Sequence, residues 1–497
     1  MIDLNSVLID PDTVKESGFF ISLYYLKTTV IMKKLVSLFM LLMFVMSACS
    51  KIGDGGQDNL GGKLELGTDV EQEIILDSDG GSEIIRFTAP QNWHVEPSEG
   101  SDWLSLSPLE GEAGTGRVKL KAEANTSGGT RRAEFSVCSG DQSLQFHVIQ
   151  DHFEMIFEVP ETEMHVSASG GILPIPINTN QSFNVSCGQE WIVPSPSQGK
   201  RPEYVVVAVE PNLTGVSRTS EIVISCDIAD VTVTVTQDAA EGALAQWTEK
   251  SFASRSLAMR FTATWCGYCP MMGKAFDTAK GQMNGALELV SLHGGQSDYE
   301  FSGTNQLARR FDISGYPTGI IDSRASIPNY ESTTTTASVA VQVAQETKES
   351  YPTVSGIAVD SYLSGTELTV FIPIYFHKAD AYRVTVLLLE DGIVGYQNGG
   401  GTSYTHNDVA RYALTSMSGD SVKIESDNTV WSNVYTAKVN TAWNPDKLKV
   451  LVYVERPYGN QPEVGDVSGA QYSNYGGIYI DNCRAVKVGE SGPLELE

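Results

Sequence analysis

The sequence predicts a multidomain, mostly β chain: two β-sandwiches in tandem, a smaller α/β domain, and a C-terminal β-sandwich. Three observations predict it. The stretch from about Leu64 to Asp238 repeats itself, a Trp-Cys-Gly-Tyr-Cys-Pro turn at 265–270 joins a strand pattern to a helical one, and strand-type runs return from residue 352. A length of 497 residues has room for three or four domains.

The repeat orders the first half. Trp103 recurs as Trp191, Gly111 as Gly199, Asn125 as Asn212, Arg131 as Arg218 and Gln150 as Gln237, at offsets of 87 or 88 residues. Two copies of one module, 64–152 and 153–239, therefore follow one another. Runs such as Gly116-Arg117-Val118-Lys119-Leu120 and Val231-Thr232-Val233-Thr234-Val235 alternate with the period of half-buried strands, and turn residues part them at short intervals. That is the signature of an all-β sandwich. The Trp-Leu-x-x-Ser-Pro of copy one, its Gly111, the Asn-x-x-x-x-x-Arg turn and the closing Gln-Asp resemble the BACON domain, an immunoglobulin-like sandwich of exported Bacteroidetes proteins. Copy two departs from it, with Trp191-Ile192-Val193-Pro194-Ser195-Pro196 in the first motif. The resemblance implies carbohydrate binding or a spacer role. Trp93, Trp103 and Trp191 are the candidates for stacking on sugar rings; the alternative, preferred because Trp is highly buried on average, is that they plug the sandwich cores. Cys187 and Cys226 both fall in copy two and are candidates for a disulfide. Copy one has no cysteine opposite Cys138, so the fold does not demand such a staple.

The turn at 265–270 carries the chemistry. Leu257 to Phe261 reads as a strand and Met271 to Met283 as a helix, which sets Cys266 at a helix N-terminus. Free N–H groups and the helix dipole there favour thiolate. They lower a thiol pKa from about 8.5 into the range of roughly 3.5–7.5. Cys269, one turn on, can resolve a mixed disulfide. A bare C-x-x-C also resembles half a zinc site, but no second cysteine pair exists; neither metal nor cofactor is expected. Downstream, Leu287 to Leu292 reads as a second strand, Leu307 to Phe311 as a short helix, and Gly315-Tyr316-Pro317-Thr318 leads into a strand, Gly319 to Asp322. The Trp-Cys-x-x-Cys helix start and the Gly-x-Pro-Thr loop resemble the thioredoxin superfamily. The resemblance implies a cis bond at Tyr316–Pro317, with Pro317 packing on the dithiol and Tyr316 receiving an extended peptide; the bland alternative is a proline entering an edge strand. Two departures stand out. Arg260 occupies the strand position where the family often keeps a buried acid as proton acceptor, and Gly267-Tyr268 replaces Gly-Pro, as in the periplasmic disulfide isomerase. The domain is assigned to 241–350, with a last helix over Ala337 to Lys348; its final hairpin strand is hard to find around Pro328 to Ser332.

From 351 to 497 the chain reads as β again, with strands at Leu368 to Ile372, Tyr382 to Leu389 and Leu448 to Val454. Between them lie Glu390-Asp391-Gly392, Tyr396-Gln397, the run of three glycines at 399–401, and Tyr404-Thr405-His406-Asn407-Asp408-Val409-Ala410-Arg411. The Trp-Cys-Gly-x-Cys-Pro, Glu-Asp…Gln and His-Asn-x-Val-x-Arg elements resemble the outer-membrane-protein-28-related lipoproteins of Bacteroidetes, over about Ala245 to the C-terminus. His406 and Arg411 could face a ligand; the preferred reading is that they pin a long loop, whose backbone needs partners of its own.

Met32-Lys33-Lys34, the apolar run Leu35 to Met46, and Ser47-Ala48-Cys49 resemble a bacterial lipoprotein signal over 32–48, implying lipidation of Cys49. The run is shorter than the roughly 20 apolar residues of a membrane span. Residues 1–31 read as an over-long start, and 49–63 as a flexible tether. A net charge of −27 argues against nucleic-acid partners. The expected place is the bacterial envelope, lipid-anchored at the outer membrane, where disulfides persist. Two functions follow. One is thiol–disulfide exchange through Cys266 and Cys269 on exported disulfide-containing proteins, or with a membrane reductant. The other is a non-enzymatic surface lipoprotein binding glycans or envelope components through its sandwiches.

Overall fold

The structure is a computed structural model that describes residues 62–195, 198–200, 204–459 and 465–497. Residues 1–31, read as an over-long start, 32–48, read as a lipoprotein signal, Cys49 and most of the 49–63 stretch lie outside the described residues. No helix among those described is long and apolar enough to cross a membrane. One compact unit ends at His152, and a second runs Phe153–Glu497.

The first unit is a sandwich of a four-stranded and a five-stranded sheet. Strand Gly114–Glu123 shows how sequence makes it: Val118, Leu120 and Ala122 are buried while Arg117, Lys119 and Lys121 between them are exposed. Phe135 stacks on Phe146 at 4.9 Å, and Phe87 meets Trp93 edge-on at 4.9 Å, filling the space between the sheets. The second copy, at the start of the second unit, has a five-stranded and a three-stranded sheet.

The residues that define the repeat form a clasp in each copy. Buried Asn125 donates through Nδ2 to the carbonyls of Gly129, Gln150 and Asp151, while Arg131 Nε donates to Gln150 Oε1 at 2.8 Å. In copy two, Asn212 donates to Val216 and Asp238, and Arg218 Nε to Gln237 Oε1 at 2.7 Å. Buried side-chain amides thus tie the turn to the closing strand, accounting for part-buried carbonyls there. The spacing of the repeat is a structural demand of its own.

The α/β segment runs β1 (Ser256–Thr262), α1 (Cys269–Gln282), β2 (Leu287–His293), α2 (Thr304–Arg310), β3 (Thr318–Ile321), β4 (Ala325–Ile327) and α3 (Thr333–Ser350). Its strands lie in the order β4-β3-β1-β2, with β1 and β2 parallel. The final hairpin strand is β4, three residues long and upstream of the expected Pro328 to Ser332. Helix α3 starts earlier than expected, because Ser332 caps it: its Oγ accepts from Thr335 N at 3.1 Å, and the threonine run becomes the first turn.

This sheet does not stop at its own edges. It continues into β9 (Val409–Ala413), β6 (Asp380–Glu390), β10 (Leu448–Pro457) and β11 (Ile478–Lys487), while Gln471–Tyr472 pairs with β4 and Asp420–Ile424 with β6, giving a single ten-stranded sheet. A second sheet, built on β5 (Glu367–Phe376), packs against the far half. Strand β6 is therefore covered on both sides: Val384, Val386 and Leu388 face β5, and Leu387 and Leu389 join Phe261, Val290, Leu292 and Phe311 of the α/β core. The unbroken apolar run Val386 to Leu389 has that cause. Each such side chain contributes about 1.5–3 kcal/mol on burial. The expected long loop after β6 is a hairpin, β7 (Ile393–Gln397) and β8 (Gly401–His406).

Candidate functional site

Cys266 lies in the turn after β1 and Cys269 opens α1, with Pro270 in the first helical turn, where a missing N–H costs nothing. The two sulfurs are bonded to each other, their Cα atoms 5.5 Å apart. Tyr316–Pro317 is cis, and Tyr316 packs on the pair, its ring stacked on Trp265 at 5.7 Å. Trp265 is held by its Nε1, which donates to Gly295 O at 2.8 Å, yet the side chain stays half exposed. Tyr268 and Met271 on the same turn are exposed as well. The structure thus brings Cys266, Cys269, Tyr316 and Pro317 together.

The sulfurs themselves are covered. Cys266 is 5% exposed and Cys269 6%, so the oxidised pair lacks the expected contrast between an open attacking sulfur and a sealed resolving one. The cover is the β7–β8 turn. Buried Gln397 donates through Nε2 to Cys266 O at 2.8 Å and Ala263 O at 3.1 Å; Asn398 donates from its backbone to Thr264 O and from Nδ2 to Trp265 O. Gly399, at φ +78°, passes so close that a Cβ there would sit 2.2 Å from Gly267 O, so only glycine closes the turn. Sequence reasoning noticed Gln397 as a motif residue and missed its task. Its one signal was a Gln beside three glycines in an otherwise β segment.

Behind Cys269 lies a small chamber of about 20 Å³, lined among others by Arg260, Ser291, Pro317, Tyr404 and His406. Arg260 points inward under α1: it donates to Ser291 Oγ and, at 3.2 Å, to Asn407 O, and its Nε is buried with no partner. A cation thus stands where an acid would take a proton. His293 bonds Ser297 Oγ at 2.9 Å, and burial, with His406 and Arg260 adding to it, pushes its pKa down to about 3. Arg411 is pinned elsewhere, paired with Glu390 at 3.3 Å and over Trp443.

Other candidates are kept apart. Trp93 is buried in the sandwich core and unavailable to a sugar, and Arg131 covers the Trp103 ring at 4.4 Å as Arg218 covers Trp191 at 4.2 Å. Cys187 and Cys226 are both free: Cys187 pairs with Ile222 and Cys226 with Phe183, at opposite ends of one strand pair. A disulfide needs Cα atoms about 4.4–6.8 Å apart, which this register rules out. In the first unit His94, Glu96 and Cys138 bring ligand-type atoms within 4.8 Å of one another, but His94 and Glu96 already satisfy each other at 2.8 Å.

Fold and site define a multidomain protein with two immunoglobulin-like sandwiches, then a thioredoxin-like domain with a Cys-x-x-Cys turn, and a C-terminal β-sandwich. Family models agree: Thioredoxin matches residues 233–345, Outer membrane protein Omp28 matches 304–471, and BACON matches 80–151 and 181–238. The chain thus carries segments similar to the Omp28, thioredoxin and BACON families, and the Omp28 family name suggests an outer-membrane or envelope protein. Among solved structures, HBP35 of Porphyromonas gingivalis is similar at 17% identity and a TM-score of 0.39, covering 49% of this chain and 78% of that one. A Bacteroides ovatus GH5 xyloglucanase in complex with a XXXG heptasaccharide matches at 22% identity and a TM-score of 0.17, over 22% of this chain and 27% of its own. A protein from Bacteroides thetaiotaomicron matches at 21% identity and a TM-score of 0.15, over 18% of this chain and 91% of that one. No curated protein matches.

Proposed function

We propose that this envelope protein exchanges thiols and disulfides with exported proteins, lipid-anchored through Cys49. Cys266 attacks, Cys269 resolves, and Tyr316 with cis-Pro317 holds the extended peptide. The observation that carries the reading is the bonded Cys266–Cys269 pair at a strand-to-helix turn, packed against Tyr316. Exposed Trp265, Tyr268 and Met271 beside it offer an apolar rest for an unfolded chain. The partners are exported disulfide-containing proteins and, to recharge the pair, a membrane reductant. Insulin reduction tests it: wild type is active and Cys266→Ala inactive, and full activity in that variant would sink the assignment. A potential near thioredoxin's, about −270 mV, makes it a reductase, and one near −120 mV an oxidant.

A second reading rests on the cover over the sulfurs. If the pair is a structural staple, the domain is scaffold in a surface lipoprotein whose sandwiches bind envelope components. Resistance of the bond to dithiothreitol in the folded protein would favour it. Glycan binding draws little support from Trp93, Trp103 and Trp191, which are buried or roofed by arginine.

A further inference from the structure

Resolution of a mixed disulfide requires Cys269 to lose a proton, and the guanidinium of Arg260, a donor with no acceptor lone pair, cannot take it. The chamber behind Cys269 can hold one water, since about 10–15 Å³ suffices and it offers about 20 Å³. Resting on the exchange reading above, we infer that His406, reaching in from the C-terminal hairpin, is the proton acceptor for Cys269 through its Nε2.

Four observations carry this. His406 and Cys269 line the same chamber, and His406 is 4% exposed. Its Nε2 is buried with no hydrogen-bond partner among the described residues, and a buried polar atom rarely goes unpaired without a use. The ring is fixed edge-on by Tyr299 and Tyr404, each at 4.8 Å, and by His293 at 5.4 Å, so the free nitrogen is not a floppy one. The backbone bond with Tyr396 favours the protonated ring, so the ring donates there and Nε2 keeps its lone pair.

The groups facing His406 are Arg260 from β1, His293 from β2, Asp298 and Tyr299 from the segment after it, and Tyr404 from its own strand. Burial first, and Arg260 after it, hold its imidazole below the ordinary 6.5 against the Tyr396 backbone bond and Asp298, so it is neutral and able to accept at pH 7. The rival acceptors are worse. His293 is pushed down to about 3, burial raises the Tyr404 phenol, and Ser291 Oγ already donates to Asn407 O at 2.7 Å.

The step balances. The Cys266 thiolate attacks a substrate disulfide and expels one substrate thiolate, leaving a mixed disulfide. The Cys269 proton passes to His406 Nε2, directly or across one water, and the Cys269 sulfur attacks Cys266 Sγ. The bond to substrate breaks, the second substrate thiolate leaves, and the Cys266–Cys269 bond forms; two electrons have gone from the pair to the substrate disulfide. The imidazolium returns its proton to the leaving thiolate.

The test follows the mixed disulfide itself. Reduced protein is mixed with oxidised glutathione and quenched in acid, and the glutathionylated Cys266 peptide is followed by mass spectrometry, which ignores the other cysteines. In wild type the decay rate of that adduct should be nearly flat between pH 6.5 and 8, whereas an unassisted thiol would gain tenfold per pH unit. His406→Gln should slow decay at least tenfold at pH 7, within the 10²–10⁴ of general base catalysis. It should recover toward wild type above about pH 9, where the thiol ionises unaided. A tenfold-per-unit slope in wild type, an unchanged rate in His406→Gln, or slowing that high pH does not relieve each overturns the proposal. Absence of any adduct on wild-type Cys266 defeats the exchange reading first, and this proposal with it.

Discussion

Gln397→Ala removes the two side-chain bonds that pin the hairpin to the dithiol turn, to Cys266 O at 2.8 Å and Ala263 O at 3.1 Å. At about 1 kcal/mol net each, the closed hairpin loses about 2 kcal/mol against a locally opened one. One factor of ten per 1.4 kcal/mol turns that into roughly thirtyfold more of the open form. If reductant reaches the nearly sealed sulfurs only when the hairpin lifts, the bond should be reduced about thirtyfold faster by dilute dithiothreitol. Quenched alkylation and mass spectrometry of the 266–269 peptide measure it. Gly399→Ala should act alike by another route, since its Cβ would strike Gly267 O. Wild-type reduction rates in both variants, with urea stability lowered, would mean that the sulfurs are reached without opening, and the cover would be no barrier.

Leu389→Ala, in the core shared by the ten-stranded sheet and α2, should cost about 2–5 kcal/mol in urea unfolding of the second unit. Asn212→Ala removes its bonds to the carbonyls of Val216 and Asp238 and should cost about 1–3 kcal/mol, with Asn125→Ala a like amount in the first unit. Because the folded His293 pKa of about 3 lies below its unfolded 6.5, the unfolded chain binds the extra proton between those values. Stability should therefore fall as pH drops from 6.5 toward 3, by up to about 4 kcal/mol, and His293→Gln should flatten that slope in pH-dependent urea melts.

Local pattern made the dithiol turn, the cis-proline loop and the repeated sandwich legible, because each is written within a few residues or in a period. What escaped was long-range. Ser291 meets Val409 across a gap in sequence that no periodicity records, so the loop expected after β6 proved to be a hairpin and a sheet strand. Cys187 and Cys226 looked bridgeable only until register set them against Ile222 and Phe183. Trp103 and Trp191 pack against the sandwich cores as the preferred reading had it, but the arginines that cover their rings arrive from a distant strand that no local pattern records.

The continuous ten-stranded sheet has a consequence for anyone cutting this protein apart. A fragment ending near residue 350 would bare the rims of β2 and β4, which the intact chain closes with Val409–Ala413 and Gln471–Tyr472. Such raw margins invite pairing with any neighbour. The catalytic-looking segment and its C-terminal companion are heritable only together, as one foldable whole.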